Sequence, residues 1–466
     1  MVFTIIRCRV IALLVILMSI IFIVTGSLQH ADLFGIYLLT AGIFLLVFGV
    51  LFLIKPFCTP RNMLGLLLVM FAFLMAAATT GIYKNNQTVR AWGSNENYQL
   101  GIGERYSAAF APRTVMNPVP FHMVIAAGDL SYAIDKDKMV WAWGSNEWGA
   151  LGNGTYYDST VPVKVINLKG IVQVAGNDFG IALTRKHEVW TWGQNNFGQL
   201  GNGTYENSPV PAKVEGLSNI IAIEAKGRYC MALDSSGVVW TWGANYSGQL
   251  GDGTRINRNR PIPVTGLPEV KAISAGTSSS YALDNKGRVW AWGDNYYGAL
   301  GNGTNVNSYV PVLSLVKDIK SITAGNGMCY AMDKDNTILG WGFNADGRLG
   351  DGTTISKNYP VKMDTLQNIT QIATGSSHNL ALDKKGRVWV WGINYLGSLG
   401  NGQDGRIAYI TPTLLHDVSN VNSLSAGVNN LVIEELPALP MLAAIVTAVI
   451  LFIVGVLLWF INKKGK

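Results

Sequence analysis

The side chains best able to ligate a metal or to act as nucleophile and base are five histidines, His30, His122, His187, His378 and His416, and four cysteines, Cys8, Cys58, Cys230 and Cys329. They are scattered. No histidine pair stands at metal-ligand spacing, and no H-E-x-x-H, C-x-x-C or G-x-S-x-G occurs. The many Ser and Asp recur as turn residues, so no nucleophile, base and orienting group are brought together by sequence. The residues imply neither enzyme nor metal nor cofactor. Cys230 and Cys329 fall on equivalent strands of repeats too far apart to bridge, so no disulfide is expected.

A glycine-rich stretch, W-G-A-N-Y-S-G-Q-L-G-D-G-T from Trp242 to Thr254, raises phosphate chemistry. No copy of it runs into a helix carrying the Lys of a phosphate loop. The stretch recurs, however, and the Trp that opens each copy is Trp92, Trp143, Trp192, Trp242, Trp292, Trp341 and Trp391. A period close to 50 residues marks a solenoid, a propeller or an array. In such a scaffold, recognition is carried by the positions that the repeat leaves free.

Two sets of free positions stand out. The motif Asn is followed by Tyr246, Tyr296 or Tyr395 in three copies, and one position later come Trp148, Phe197 and Tyr297. Gathered on one face they form an aromatic collar, chemistry enriched in protein hot spots and sugar platforms; the alternative is burial between neighbouring repeats. The second set is Arg255, Arg258 and Arg260 in T-R-I-N-R-N-R. It suits an anionic partner such as lipid headgroups or wall polymer, or is a solvated loop.

The elements that position these residues are short. The copy from Ile273 to Val312 reads I-S-A-G-T-S-S-S-Y-A-L, D-N-K-G, R-V-W-A-W-G, D-N-Y-Y-G-A-L-G-N-G-T and S-Y-V-P-V. Apolar, β-branched and aromatic runs bounded by Gly, Asn and Asp predict four strands per repeat. The Trp residues are expected as core between sheets, the motif Asn to bond its own loop backbone, and the motif Leu to plug the space beneath. Asn-Gly-Thr at Asn153, Asn202 and Asn302 then reads as turn chemistry rather than as glycosylation sites.

Sheets apolar on both faces need neighbours on both sides, which a closed ring supplies. The N-terminal end begins at Thr88–Trp92 without a preceding strand pair. The C-terminal end, 421–434, lacks a following W-x-W-G. Each end holds half a blade, and joining them makes seven.

Outside residues 84–436 the composition changes. Four stretches of roughly 20 residues, 10–28, 33–54, 63–83 and 437–461, contain no Asp, Glu, Lys or Arg, the pattern of membrane-spanning helices. The expected organisation is a three-helix membrane region at 1–83, a propeller at 84–436, and a spanning helix with a basic tail at 437–466. The net charge of +7 resides mainly in Arg7, Arg9, Lys55, Arg61, Lys463, Lys464 and Lys466, which flank those stretches. The excess is therefore a topology signal rather than a nucleic-acid site. It places both termini in the cytoplasm and the propeller outside it, in a multi-pass membrane protein. Residues 1–28 also fit a cleaved signal peptide, which would leave the propeller on the same side.

The W-G-x-N-x-x-G-x-L-G-x-G pattern, over about three quarters of the chain, resembles the regulator of chromosome condensation repeat family. The resemblance implies a seven-bladed propeller closed by both ends, here in a bacterial-type, membrane-anchored form. It departs from the family at Tyr98, where Gly is usual, at Ile102, where Asn or Asp is usual, and in having the second-strand His only as His378. The family's founder exchanges guanine nucleotide on a GTPase through an inserted wedge, for which the even period here leaves no room. The reading is a non-enzymatic protein-binding module outside the cell, engaging an envelope or surface protein. An extracytoplasmic ligand or cell-wall-polymer sensor is the alternative, ahead of an exchange factor or other enzyme.

Overall fold

The computed structural model describes residues 87–435. The apolar stretches expected to span a membrane lie outside them, as do Cys8, Cys58 and His30. Residues 87–435 form one compact unit of 28 strands, numbered β1 to β28 in chain order, arranged as seven four-stranded antiparallel sheets. Among the described residues no helix is long and apolar enough to cross a membrane.

With the blades numbered in chain order from the first complete one, and the blade shared by both ends counted as the seventh, blade 3 shows the plan: β11 (Ile220–Lys226), β12 (Tyr229–Asp234), β13 (Val239–Gly243) and β14 (Arg258–Pro263), side by side in that order. Its second strand, Tyr-Cys-Met-Ala-Leu-Asp, is buried on both faces until its last residue because a blade covers each side. The fourth strands are edges, and each carries a proline, such as Pro112, Pro162, Pro261 and Pro412, which denies the edge a donor for further pairing.

Closure follows the expected split. β1 (Gln87–Ser94) and β2 (Ala108–Thr114) from the N-terminal end join β27 (Val421–Ala426) and β28 (Asn429–Glu435) from the C-terminal end, in the order β2-β1-β28-β27. Gln87 pairs with Glu435, so the chain enters and leaves the ring at adjacent residues.

Packing between blades explains the repeated motif. Each motif Trp is buried and donates its indole N–H to a carbonyl in the loop of the preceding blade: Trp242 to Gln199 at 2.9 Å, Trp292 to Gln249 at 2.9 Å and, across the seam, Trp92 to Ser398 at 3.1 Å. The glycine after the motif Leu makes room for that ring, since a Cβ at Gly251 would lie 2.8 Å from Trp292 and one at Gly400 2.7 Å from Trp92. The other Trp of each pair is only half-buried; Trp290, for example, donates to Asp284 Oδ2 at 3.1 Å. Core function thus belongs to one Trp of each pair.

The motif Asn acts as a loop staple. Asn295 Oδ1 accepts from Leu300 N at 2.8 Å, while its Nδ2 donates to the carbonyls of Thr304 and Val306 and to Asn302 Oδ1. Asn302 in turn accepts from the backbone and hydroxyl of Thr304, so this sequon is committed to its own turn. In the first loop Ile102 replaces that partner and packs into the core between blades, leaving Asn95 Nδ2 with the Glu104 carbonyl.

Tyr98 carries the cost of the other departure. Its φ is +64°, where equivalent loops have Gly149, Gly248 and Gly298 at +77° to +80°. The left-handed conformation costs an L-residue about 1–2 kcal/mol, and glycine gives back about 0.5–1 of that through its freer unfolded chain. Tyr98→Gly is therefore expected to raise stability by about 0.5–1 kcal/mol, read as a higher urea midpoint.

Candidate functional site

Antiparallel order places two kinds of loop on each face of the ring. The turn after a first strand and the long motif loop after a third strand share one face, the loop face. They are bonded together there: Gln194 N to Asp178 O at 3.1 Å, Ala244 N to Arg228 O at 2.9 Å, and Asp294 N to Ser278 O at 2.9 Å. The tight D-x-x-G turns, Gln87 and Glu435 lie on the opposite, turn face.

The collar residues are all on the loop face, in separate groups. Phe197 and Tyr246 meet edge to face at 6.4 Å, with the Arg228 guanidinium 5.0 Å from the Phe197 ring. Tyr297 joins Tyr296 at 4.7 Å and Phe343 at 4.4 Å. Tyr246, Tyr296, Tyr297 and Tyr395 are 44%, 69%, 42% and 57% exposed. They are presented to solvent rather than buried between blades, whereas Trp148 and Phe197 are half-buried. Tyr395 stands apart, 5.9 Å from the Arg406 guanidinium. The collar is an arc with two aromatic clusters.

The arginine loop is used differently from an open anion site. Arg258 grips Asp252 Oδ2 with two nitrogens at 2.9 and 2.6 Å, Arg255 Nε donates to the Tyr246 carbonyl at 3.0 Å, and Arg260 lies against Gly203, where a Cβ would come within 2.5 Å of its guanidinium. At least two of the three serve the loop that carries Tyr246.

Sequence reasoning passed over the residues contributed by first-strand turns. Asp178 sits beside Asp129 and Glu147; burial, then repulsion from those carboxylates, raises its pKa, with Arg228 opposing. Phe343 and Arg348 were hidden because Phe343 meets Tyr297 of the preceding blade and Arg348 the Ser376 carbonyl of the next. Arg348 lies 4.6 Å from the Phe343 ring centre, pairs with Asp346 at 2.6 Å and donates to the Ser376 carbonyl at 2.8 Å. The available signal was variability at the residue just before each second strand.

The seven first strands enclose a central cavity of about 400 Å³. Lys226 crosses it from blade 3 to blades 5 and 6, donating to the carbonyls of Ala324 at 3.2 Å and Thr374 at 3.1 Å and to Thr374 Oγ1 at 3.0 Å. Burial pulls this amine down to about 8 and pushes the neighbouring Glu224 carboxyl up to about 7. The lysine's donors are filled by protein acceptors, so its role is to tie three blades.

Solved structures share this fold. Prp20p from Saccharomyces cerevisiae matches with TM-score 0.69 at 24% identity, covering 75% of this chain and 92% of that one. Human WBSCR16 matches with TM-score 0.68 at 20% identity, covering 75% and 99%. Among curated proteins, the probable E3 ubiquitin-protein ligase HERC6 of Homo sapiens is 38% identical over 86 residues, 18% of this chain and 8% of that protein. The ultraviolet-B receptor UVR8 of Arabidopsis thaliana is 31% identical over 84 residues, 18% and 19%. The chain thus spans less than a fifth of the length of either curated relative. The profile of the regulator of chromosome condensation (RCC1) repeat matches five consecutive segments, 137–183, 186–233, 236–283, 286–332 and 335–382. These segments cover just over half of the sequence, and the chain belongs to the RCC1 repeat family.

Proposed function

We propose that this chain is a non-enzymatic protein-binding propeller, anchored in a membrane by its apolar terminal segments and engaging a protein of the cell envelope or surface with its loop face. The observation that carries the reading is the solvent exposure of Tyr246, Tyr296, Tyr297 and Tyr395 on one face. Aromatic side chains combine large contact area with few rotatable bonds, so they dominate binding energy where a partner desolvates them. Gln87 and Glu435, where the described residues begin and end, lie on the face opposite the aromatic arc. Prp20p is named with its binding to Gsp1p and histones, an instance of this fold meeting protein partners.

The test is crosslinking and capture from membranes with the full chain and with a Tyr246→Ala/Tyr297→Ala double variant. Loss of one aromatic anchor costs about 1–2 kcal/mol or more, so the variant is expected to retain less than a tenth of the partner. Equal retention by both forms would remove the arc as the docking site, and binding of soluble wall polysaccharide with no protein retained would favour a polymer sensor. Protease added to intact cells is expected to cleave within residues 87–435; full protection would overturn the extracytoplasmic placement.

A further inference from the structure

The loop face has a cleft of about 240 Å³ between blades 4 and 5, lined by Ser278, Asp294, Tyr297, Asn326, Phe343 and Arg348 among others. The space holds one extended side chain and falls short of the roughly 300 Å³ at which drug-sized sites begin. Tyr297 and Phe343 form an aromatic wall. Arg348, 7% exposed, also lines the cleft, and its charge is paired with Asp346 at 2.6 Å. Asp294 is half-buried, and no ion pair or side-chain hydrogen bond engages its carboxylate. The cleft therefore carries one uncompensated negative charge beside two aromatic faces.

The rest of the face has the same bias. Among the described residues, Glu96, Asp129, Glu147 and Asp178 also form no ion pair, and Asp178 is repelled by both Asp129 and Glu147, with Arg228 opposing. Other carboxylates do hold a Lys or Arg of this chain, among them Asp252, Asp346 and Asp351 on the loop face and Glu188, Asp284, Asp318 and Asp383 on the turn face. Neighbouring unpaired carboxylates repel, a cost that a cationic partner removes on binding.

We propose that the cleft between blades 4 and 5 receives a Lys or Arg side chain of a basic segment on the partner protein, with Asp294 as its counter-ion and Tyr297 and Phe343 packing its aliphatic stem. This deepens the protein-binding reading of the loop face and rests on it. The stem of a long basic side chain is apolar and its head charged, which matches an aromatic wall beside a carboxylate. The other carboxylates of the face steer the segment by charge.

The full chain is probed with an array of decapeptides that differ only in a central Lys, Arg, Glu or Leu. Lys and Arg peptides are expected to be retained over Glu and Leu, with Asp294→Asn weakening their binding about tenfold, the loss of one half-buried charge contact. Asp364→Asn, which removes a paired and exposed carboxylate on the turn face, is expected to leave binding unchanged. A preference for Glu or Leu, a Lys preference that Asp294→Asn leaves intact, or an equal loss in Asp364→Asn would each overturn the proposal. The broader reading fails separately. If the Tyr246→Ala/Tyr297→Ala variant loses the captured partner while Asp294→Asn keeps it, protein docking on this face stands and the cleft is not its basic-residue receptor.

Discussion

Trp92→Ala is expected to lower the stability of the propeller by about 3–5 kcal/mol, the range for deleting a fully buried large aromatic side chain. Trp92 is fully buried, packs on blade 6 at Gly400, and donates to the Ser398 carbonyl at 3.1 Å. Its six equivalents make the same contact between blades that follow one another in the chain. At the seam, chain connectivity does not hold the two sides together, and the join is made by the β1–β28 ladder, by this ring and by bonds such as Asn429 Nδ2 to the Gln99 carbonyl at 3.1 Å and Gly402 N to the Phe110 carbonyl at 2.8 Å. Urea unfolding of the full chain should show the lowered midpoint, and limited proteolysis should cut first in the loop from Asn95 to Ser107, which loses its anchor. A loss below about 1 kcal/mol would mean that the seam does not depend on this ring. Trp92→Phe, which keeps most of the volume but removes the indole donor from a carbonyl that still accepts from Asn430, is expected to cost about 1 kcal/mol.

That seam was legible in the sequence, and the reason is physical. A strand pair without its partners cannot bury its apolar faces, so two half-repeats at the ends of a periodic chain imply each other. The roles of the motif Trp, Asn and Leu were legible for the same reason, because a residue needed at every blade contact appears once per period. The loop-face chemistry was only half legible. Tyr246, Tyr296 and Tyr297 were identifiable as free positions next to an invariant Asn, whereas Asp294, Phe343 and Arg348 form a cleft only because residues about 50 apart become neighbours when blades stack. Lys226 was invisible as a tie, since its acceptors lie 98 and 148 residues away. Arg258 looked free because nothing in a linear reading ranks Asp252, six residues earlier, above solvent as its partner.

Acid is expected to act on the same seam through His378. This side chain, 2% exposed, is at the start of β24 (His378–Asp383) in blade 6 and donates from Nε2 to Asn430 Oδ1 at 2.6 Å in blade 7. Asn430 Nδ2 donates in turn to the Ser398 carbonyl at 2.8 Å, the group that also receives Trp92. Burial lowers the His378 pKa from 6.5 to about 4; the bond to Asn430 opposes the shift and the nearby Arg348 charge adds to it. A lowered folded pKa means that the unfolded chain takes up the proton first. The contribution is therefore whole above pH 6.5 and is lost as pH falls towards 4. The loss comes to about 2–3 kcal/mol at pH 4.5. Glu224, raised to about 7, acts in the opposite sense over much of the same range, because the folded state holds its proton and gains as pH falls. The informative quantity is therefore the difference between the wild-type chain and His378→Met, the residue at the equivalent position, Met328, in blade 5. Urea midpoints at pH 7 and pH 4.5 should show the wild type losing about 2–3 kcal/mol relative to the variant. A constant difference between the two pH values would mean that His378 does not titrate across this window, and that the bond between blades 6 and 7 is indifferent to acid.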